Sequence, residues 1–188
     1  MIRRSSHSSF LGAFLAVLTS LSLIGCSSDE DGEKADPAPT MSSPDVTPSE
    51  TDSLISTGLD QLSTGATEEA TQTFTAILAS DPTNAYAHYN LGYLAHTAGD
   101  VATAVAHYTA AIESNKDFPE ALYNLALISE DNGDIDGAIT LFRRQLALVP
   151  DDPGGLWHLG MALQETGQTN EARELLERAY AIDPSLRP

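Results

Sequence analysis

The stretch YNLGYLAHTAGD at residues 89–100 is answered by YNLALISEDNGD at residues 123–134 and by WHLGMALQETGQ at residues 157–168, each 34 residues beyond the last. The same interval separates Gly65, Gly99, Gly133 and Gly167, and again Ala70, Ala104, Ala138 and Ala172. A bulky series, Phe74, Tyr108, Phe142 and Leu176, keeps the same step. Three series in register over four units define an uninterrupted repeat, divided as residues 51–84, 85–118, 119–152 and 153–186. A unit of this length cannot bury its own apolar face and must stack on its neighbours.

Each unit divides at its glycine into two amphipathic helices. In the second unit AYAHYNLGYLAHTA runs into Gly99-Asp100. Glycine accepts the left-handed conformation that ends one helix, and aspartate caps the next. Pro82, Pro150 and Pro184 follow the second helices and disfavour helix in the residue before them, which separates the units. Small residues stand where two helices must approach: Gly58, Gly92, Ala126 and Gly160 on first helices, and the Ala70 series on second helices. Leu91, Leu125 and Leu159, with the bulky series, supply the knobs of a continuous core.

These spacings resemble the tetratricopeptide repeat, with its consensus Trp-x2-Leu-Gly-x2-Tyr, then Ala, then Phe or Tyr, then Ala, then Pro. The resemblance implies an all-α, right-handed solenoid of four helix-turn-helix units. Leu54, His88, Leu122 and Leu156 depart from the consensus tryptophan, Lys116 replaces the proline of the second unit, and Gln145 stands where alanine is usual.

The amino-terminal part reads differently. Arg3 and Arg4 precede an apolar run from Phe10 to Ile24, short for a spanning helix and of the length of an export signal. The run ends in Leu23-Ile24-Gly25-Cys26, which resembles the lipobox of bacterial lipoproteins and holds the only cysteine of the chain. By that resemblance residues 1–25 are a signal peptide and Cys26 becomes a lipidated amino terminus; ordinary secretion with a free thiol is the alternative. Two or three acyl chains make a lasting anchor where one does not. By the same resemblance Ser27, in place of aspartate, favours the outer membrane where two membranes exist. Residues 26–50, SSDEDGEKADPAPTMSSPDVTPSE after the cysteine, are acidic, proline-rich and nearly devoid of apolar residues, which predicts an extended tether. Residues 51–186 form the repeat domain, and 187–188 a tail.

The net charge is −18, and loss of Arg3 and Arg4 makes it more negative by two. Such a surface does not suit nucleic acid or anionic headgroups. No nucleophile motif, phosphate loop or paired histidines at i, i+4 point to an enzyme, a cofactor or a metal. His88, His96 and His107 fall in the second unit and His158 in the fourth, and only His96 and His158 share a predicted face.

Function is therefore sought in a surface. At 100° per residue, Tyr86, Tyr89, Asn90, Tyr93 and His96 share a face opposite Ala87, Leu91 and Ala95. By resemblance this face lines the concave groove of the solenoid, where asparagines often hold a peptide backbone. The groove is continued by Tyr123, Asn124, Leu127, Glu130 and Asp131, then by Trp157, His158, Met161, Gln164 and Glu165; the first unit offers Asp52, Ile55, Ser56, Leu59 and Leu62. With Glu120 it is acidic and carries no lysine or arginine, which excludes a carboxylate clamp and implies a neutral or basic protein or peptide with apolar side chains. Arg143, Arg144, Arg173 and Arg178 fall on second helices, where pairing with neighbours such as Glu174 and Glu177 is expected. Leu175, Leu176, Ala179 and Tyr180 end the array without a capping helix and suggest an uncovered edge for a partner or a second copy. A lipid-anchored, non-enzymatic scaffold of the cell envelope is the expected function. A structural tether without a groove ligand, and a hydrolase of envelope polymers using groove acids, are the alternatives.

Overall fold

A computed structural model describes residues 48–188; the expected signal segment, Cys26 and most of the expected tether lie outside them. Eight α-helices follow in order: α1 Pro48–Ser63, α2 Thr67–Ser80, α3 Ala85–Thr97, α4 Val101–Ser114, α5 Pro119–Asp131, α6 Ile135–Leu148, α7 Pro153–Glu165 and α8 Thr169–Ile182. A 3-10 turn, Pro184–Leu186, closes the chain. The fold is an all-helical solenoid with no strand among the described residues. α1 packs on α2, α3 on α4, α5 on α6 and α7 on α8, and each second helix also meets the next first helix.

The glycine series works as the sequence requires. Gly65, Gly99, Gly133 and Gly167 all take φ between 77° and 83°, open only at a cost to residues with a Cβ. At Gly99 the chain reverses with Gly99 N–H donating to His96 O at 3.0 Å and Asp100 N–H to Ala95 O at 2.9 Å. Asp100 then receives the Thr103 N–H at 3.1 Å and starts α4. Asp134 receives Gly137 N–H at 3.0 Å and starts α6 in the same way. After second helices, Asp81 receives Thr83 N–H, Asn115 receives Asp117 N–H and Asp183 receives Ser185 N–H. Asn115 thus makes the turn of the second unit, where Lys116 replaces the proline, through its own side chain.

Small and bulky series meet inside each helix pair. A Cβ built on Gly58 would stand 2.6 Å from the Phe74 ring, on Gly92 2.9 Å from Tyr108, and on Gly160 2.7 Å from Leu176. In the third unit Ala126 fills this place against Phe142, and both are fully buried. Three buried clusters follow one another along the array, and the middle one joins Tyr108 and Ala111 of α4 to Phe118, Ala121 and Leu122 at and within α5. Each large apolar side chain fully removed from water contributes about 1.5–3 kcal/mol to holding the stack together.

Two sequence expectations are adjusted. α1 begins at Pro48, ahead of the expected Thr51, because proline is accepted in a first helical turn. The arginines pair across units: Arg143 Nη2 donates to Glu171 at 2.9 Å and Arg178 to Asp151 at 3.1 Å, while Glu177 pairs with Arg187 at 3.8 Å. Stacking brings residues 27 or 28 positions apart together there, where the sequence reading looked only along one helix. At the last helix, which packs mainly on α7, Ala179 is fully buried, Leu175, Leu176 and Tyr180 are half-buried, and the Arg187 guanidinium lies 5.4 Å from the Tyr180 ring centroid.

Candidate functional site

The first helices α1, α3, α5 and α7 expose large side chains at the positions expected of a groove. Tyr86 is 55 % exposed and Tyr93 45 %, with Leu59 and Met161 also open to solvent. Asp52, Ser56, Asp131, Gln164 and Glu165 are exposed, while Ile55, Leu62, His96, Leu127 and Trp157 are half-buried. The aromatic set is not loose: Phe118 receives the edges of both Tyr86 and Tyr89, with centroids 5.3 and 5.1 Å away. Tyr89 in turn leans on the buried Tyr108 at 5.9 Å.

The two asparagines differ. Asn90 is only 5 % exposed and donates its amide to Tyr86 O at 2.8 Å, so it braces its own helix. Asn124 is half-buried and lines a cavity. That cavity, about 390 Å³, is walled by Tyr89 from α3, Pro119, Glu120, Tyr123 and Asn124 from α5, Gln145 and Val149 at the end of α6, and Asp152 at the start of α7. Of the residues expected in the groove it gathers Tyr89, Tyr123 and Asn124; Tyr86, Tyr93, His96, Met161, Gln164 and Glu165 do not line it. Burial pushes the Tyr89 phenol above its ordinary range, a shift the nearby Asn124 amide opposes and Glu120 reinforces. Burial raises Tyr123 likewise, helped by the negative charges of Asp152 and Glu130. Tyr108, fully buried with no hydrogen-bond partner for Oη, is raised most strongly by burial.

Further along, His158 Nδ1 lies 2.8 Å from Glu130 Oε2, stacks on Phe142 at 5.4 Å, and takes the edge of Trp157 at 4.9 Å. This pair ties α5 to α7. The sequence reading missed a second contact, His88 Nδ1 to His107 Nδ1 at 3.0 Å across α3 and α4. His88 Nε2 faces Pro82 O at 3.1 Å, an acceptor only, so it carries the proton and His107 Nδ1–H donates to His88 Nδ1. It also missed a longer apolar cavity of about 790 Å³ between α2, α3 and α4, floored by Leu78, Leu91 and Leu94 and rimmed by threonines. Both escape a search along one helix, because their residues come from different helices.

Among the described residues, no His, Cys, Asp and Glu side chains form a group of three or more able to hold a metal ion. What the cavity and the exposed first-helix tyrosines offer is contact area, amides and negative charge.

Sequence profiles of the tetratricopeptide repeat family match residues 56–115 and 97–153, and a second such profile matches residues 129–186. The chain is a tetratricopeptide repeat protein. No curated protein matches it at the sequence level. Among solved structures this tetratricopeptide array is similar to MamA, with a TM-score of 0.61 and 23 % identity over 73 % of this chain and 75 % of the other. It is also similar to pilF of Pseudomonas aeruginosa, with a TM-score of 0.62 and 23 % identity over 71 % of this chain and 61 % of the other. At that identity the likeness is one of fold.

Proposed function

We propose that this protein is a non-enzymatic scaffold of the bacterial envelope, anchored by lipid on Cys26, that binds a protein or peptide partner in its groove. The tetratricopeptide family is one of protein-interaction modules, and a scaffold role follows from membership. Outer-membrane attachment and the tether at residues 26–50 rest on the lipobox-like Leu23-Ile24-Gly25-Cys26 and the composition that follows it. The observation that carries the groove reading is the coincidence, on first helices, of exposed Tyr86 and Tyr93 with half-buried Asn124 beside Glu120 and Tyr123.

Tyrosine gives contact area with little rotamer entropy to lose, and an asparagine amide matches a peptide group with one donor and one acceptor. The acidic wall, without lysine or arginine, selects neutral or basic partners carrying apolar side chains, and its field speeds encounter more than it adds affinity. A fluorescence-anisotropy panel of peptides of varied charge tests this. Binding is expected to weaken as salt rises and to fall about tenfold in Asn124→Ala, as a lost peptide hydrogen bond implies. Binding indifferent to salt, to Asn124→Ala and to Tyr86→Ala together would remove the groove reading and leave a structural tether.

A further inference from the structure

One residue series of the repeat breaks at a single place, and the break is polar. Gln145 occupies the position held by Ile77, Ala111 and Ala179 in the other units, all fully buried, and is itself 4 % exposed. Room for the longer side chain comes from the next unit. Where Ala87 and Ala121 stand at the start of α3 and α5, the start of α7 has Gly155, and a Cβ there would overlap Gln145 Oε1. The adjacent Gly154 likewise leaves space at Tyr123, whose hydroxyl would lie 2.9 Å from an added Cβ. A glutamine thus stands in a core layer with Gly155 of the facing helix beside it.

The glutamine is only half used by the fold. Its Nε2 donates to Asp152 Oδ2 at 2.9 Å, an oxygen that also receives Gly155 N–H at 2.9 Å and so caps α7. A carboxylate only accepts, so this bond fixes which end of the amide is nitrogen. Oε1 is left buried with no donor, a loss that native proteins seldom tolerate without a reason. The same residue forms part of the wall of the 390 Å³ cavity, beside Glu120, Asp152, Asn124, Tyr89 and Tyr123.

We propose that this cavity receives an arginine side chain of the partner. The inference rests on the groove reading above and assigns the chemistry of one anchor within it. The walls present two carboxylates, two amide groups and two aromatic rings, drawn from α3, α5, α6 and the start of α7. A guanidinium carries five N–H donors in a planar fork and a face that stacks on aromatic rings, so it serves acceptors on several sides at once. An ammonium is a compact point charge with three donors. No lysine or arginine lines the cavity to compete for the acids.

The test uses the full chain labelled with 15N, titrated separately with N-acetyl-argininamide, its uncharged isostere N-acetyl-citrullinamide, and N-acetyl-lysinamide. The arginine compound is expected to shift the side-chain amides of Gln145 and Asn124 and to bind about tenfold more tightly than citrulline, as loss of charge-assisted bonds implies. Gln145→Ala restores the residue usual in the other units, so it should fold while losing much of that preference. The inference is overturned if citrulline matches arginine, if Gln145→Ala binds arginine unchanged, if lysine binds best, or if no compound moves the Gln145 and Asn124 signals. Groove binding is scored independently by the peptide panel: peptides without arginine that perturb Tyr86 and Tyr93 but leave Gln145 unmoved would keep the groove and discard the arginine site.

Discussion

Replacing Gly92 by alanine sets helix propensity against packing, and the structure says which wins. Alanine at an interior helical position gains about 0.8–1.0 kcal/mol over glycine. The new methyl, however, would stand 2.9 Å from both Cδ1 and Cε1 of Tyr108 and 3.3 Å from its Cγ. Carbon atoms prefer about 3.5–4.0 Å, so the ring or the helix must withdraw by roughly 0.6–1 Å. Tyr108 has nowhere free to go: it is fully buried, Tyr89 lies against it, and Ala104, Ala111, Phe118 and Leu122 share its cluster.

Overpacking of this kind costs about 1–3 kcal/mol, which leaves a net loss of about 1 kcal/mol after the propensity gain. The third unit supplies the converse. Ala126 is buried against Phe142 with its methyl in place, so Ala126→Gly loses about 1 kcal/mol of propensity and about 0.8 kcal/mol of buried methyl. Propensity alone gives the two substitutions opposite signs; packing makes both destabilising. Far-UV circular dichroism in urea, with amide exchange in α3 and α4 because repeat arrays can unfold in parts, reads the outcome. A thermal scan followed by the same signal is expected to show a midpoint about 4 °C lower for Gly92→Ala. A Gly92→Ala protein that unfolds later than the parent would refute the reasoning.

The His88–His107 contact makes stability depend on pH. Burial, then the neighbouring His88, lowers the His107 value below the ordinary 6.5, so the unfolded chain binds more protons and this contribution diminishes as pH falls through about 6.5. His107→Leu, the residue at the same place in the third and fourth units, should flatten the urea midpoint between pH 7 and pH 5; an unchanged slope would count against the pair. Two polar interactions should also separate in a denaturation series: Asp134→Ala, which removes the α6 cap, is expected to cost about 1 kcal/mol. Glu171→Gln, which breaks an ion pair open to solvent on both sides, should cost well under 1 kcal/mol.

The fold was legible because its determinants lie at fixed intervals. Glycine at the turn and small residues opposite bulky ones are local demands that the 34-residue step repeats four times, and aspartate follows the glycine in the second and third units. The groove face was partly legible for the same reason: Tyr86 and Tyr93 project outward as helical geometry requires. Asn90 was not, since its burial and its bond to Tyr86 O depend on how α3 packs. Contacts such as Arg143 to Glu171, His158 to Glu130 and His88 to His107 depend on how one helix sits on another, which spacing within one helix does not reveal. Gln145 did leave a mark in the sequence as a departure from alanine, but its meaning required Gly155, which belongs to the next unit and a different series.

That pairing has a bearing on how such an array can change over generations. Repeat proteins are usually able to lengthen, shorten or exchange their units, since each seam looks like every other. Gln145 and Gly155 make one seam unlike the rest. A unit copied into the third position from the second or fourth would bring alanine and leave a hole against the glycine, and one copied into the fourth would bring a Cβ into the glutamine. The last two units are therefore fitted to each other, and any exchange that parts them must mend both sides of the joint together.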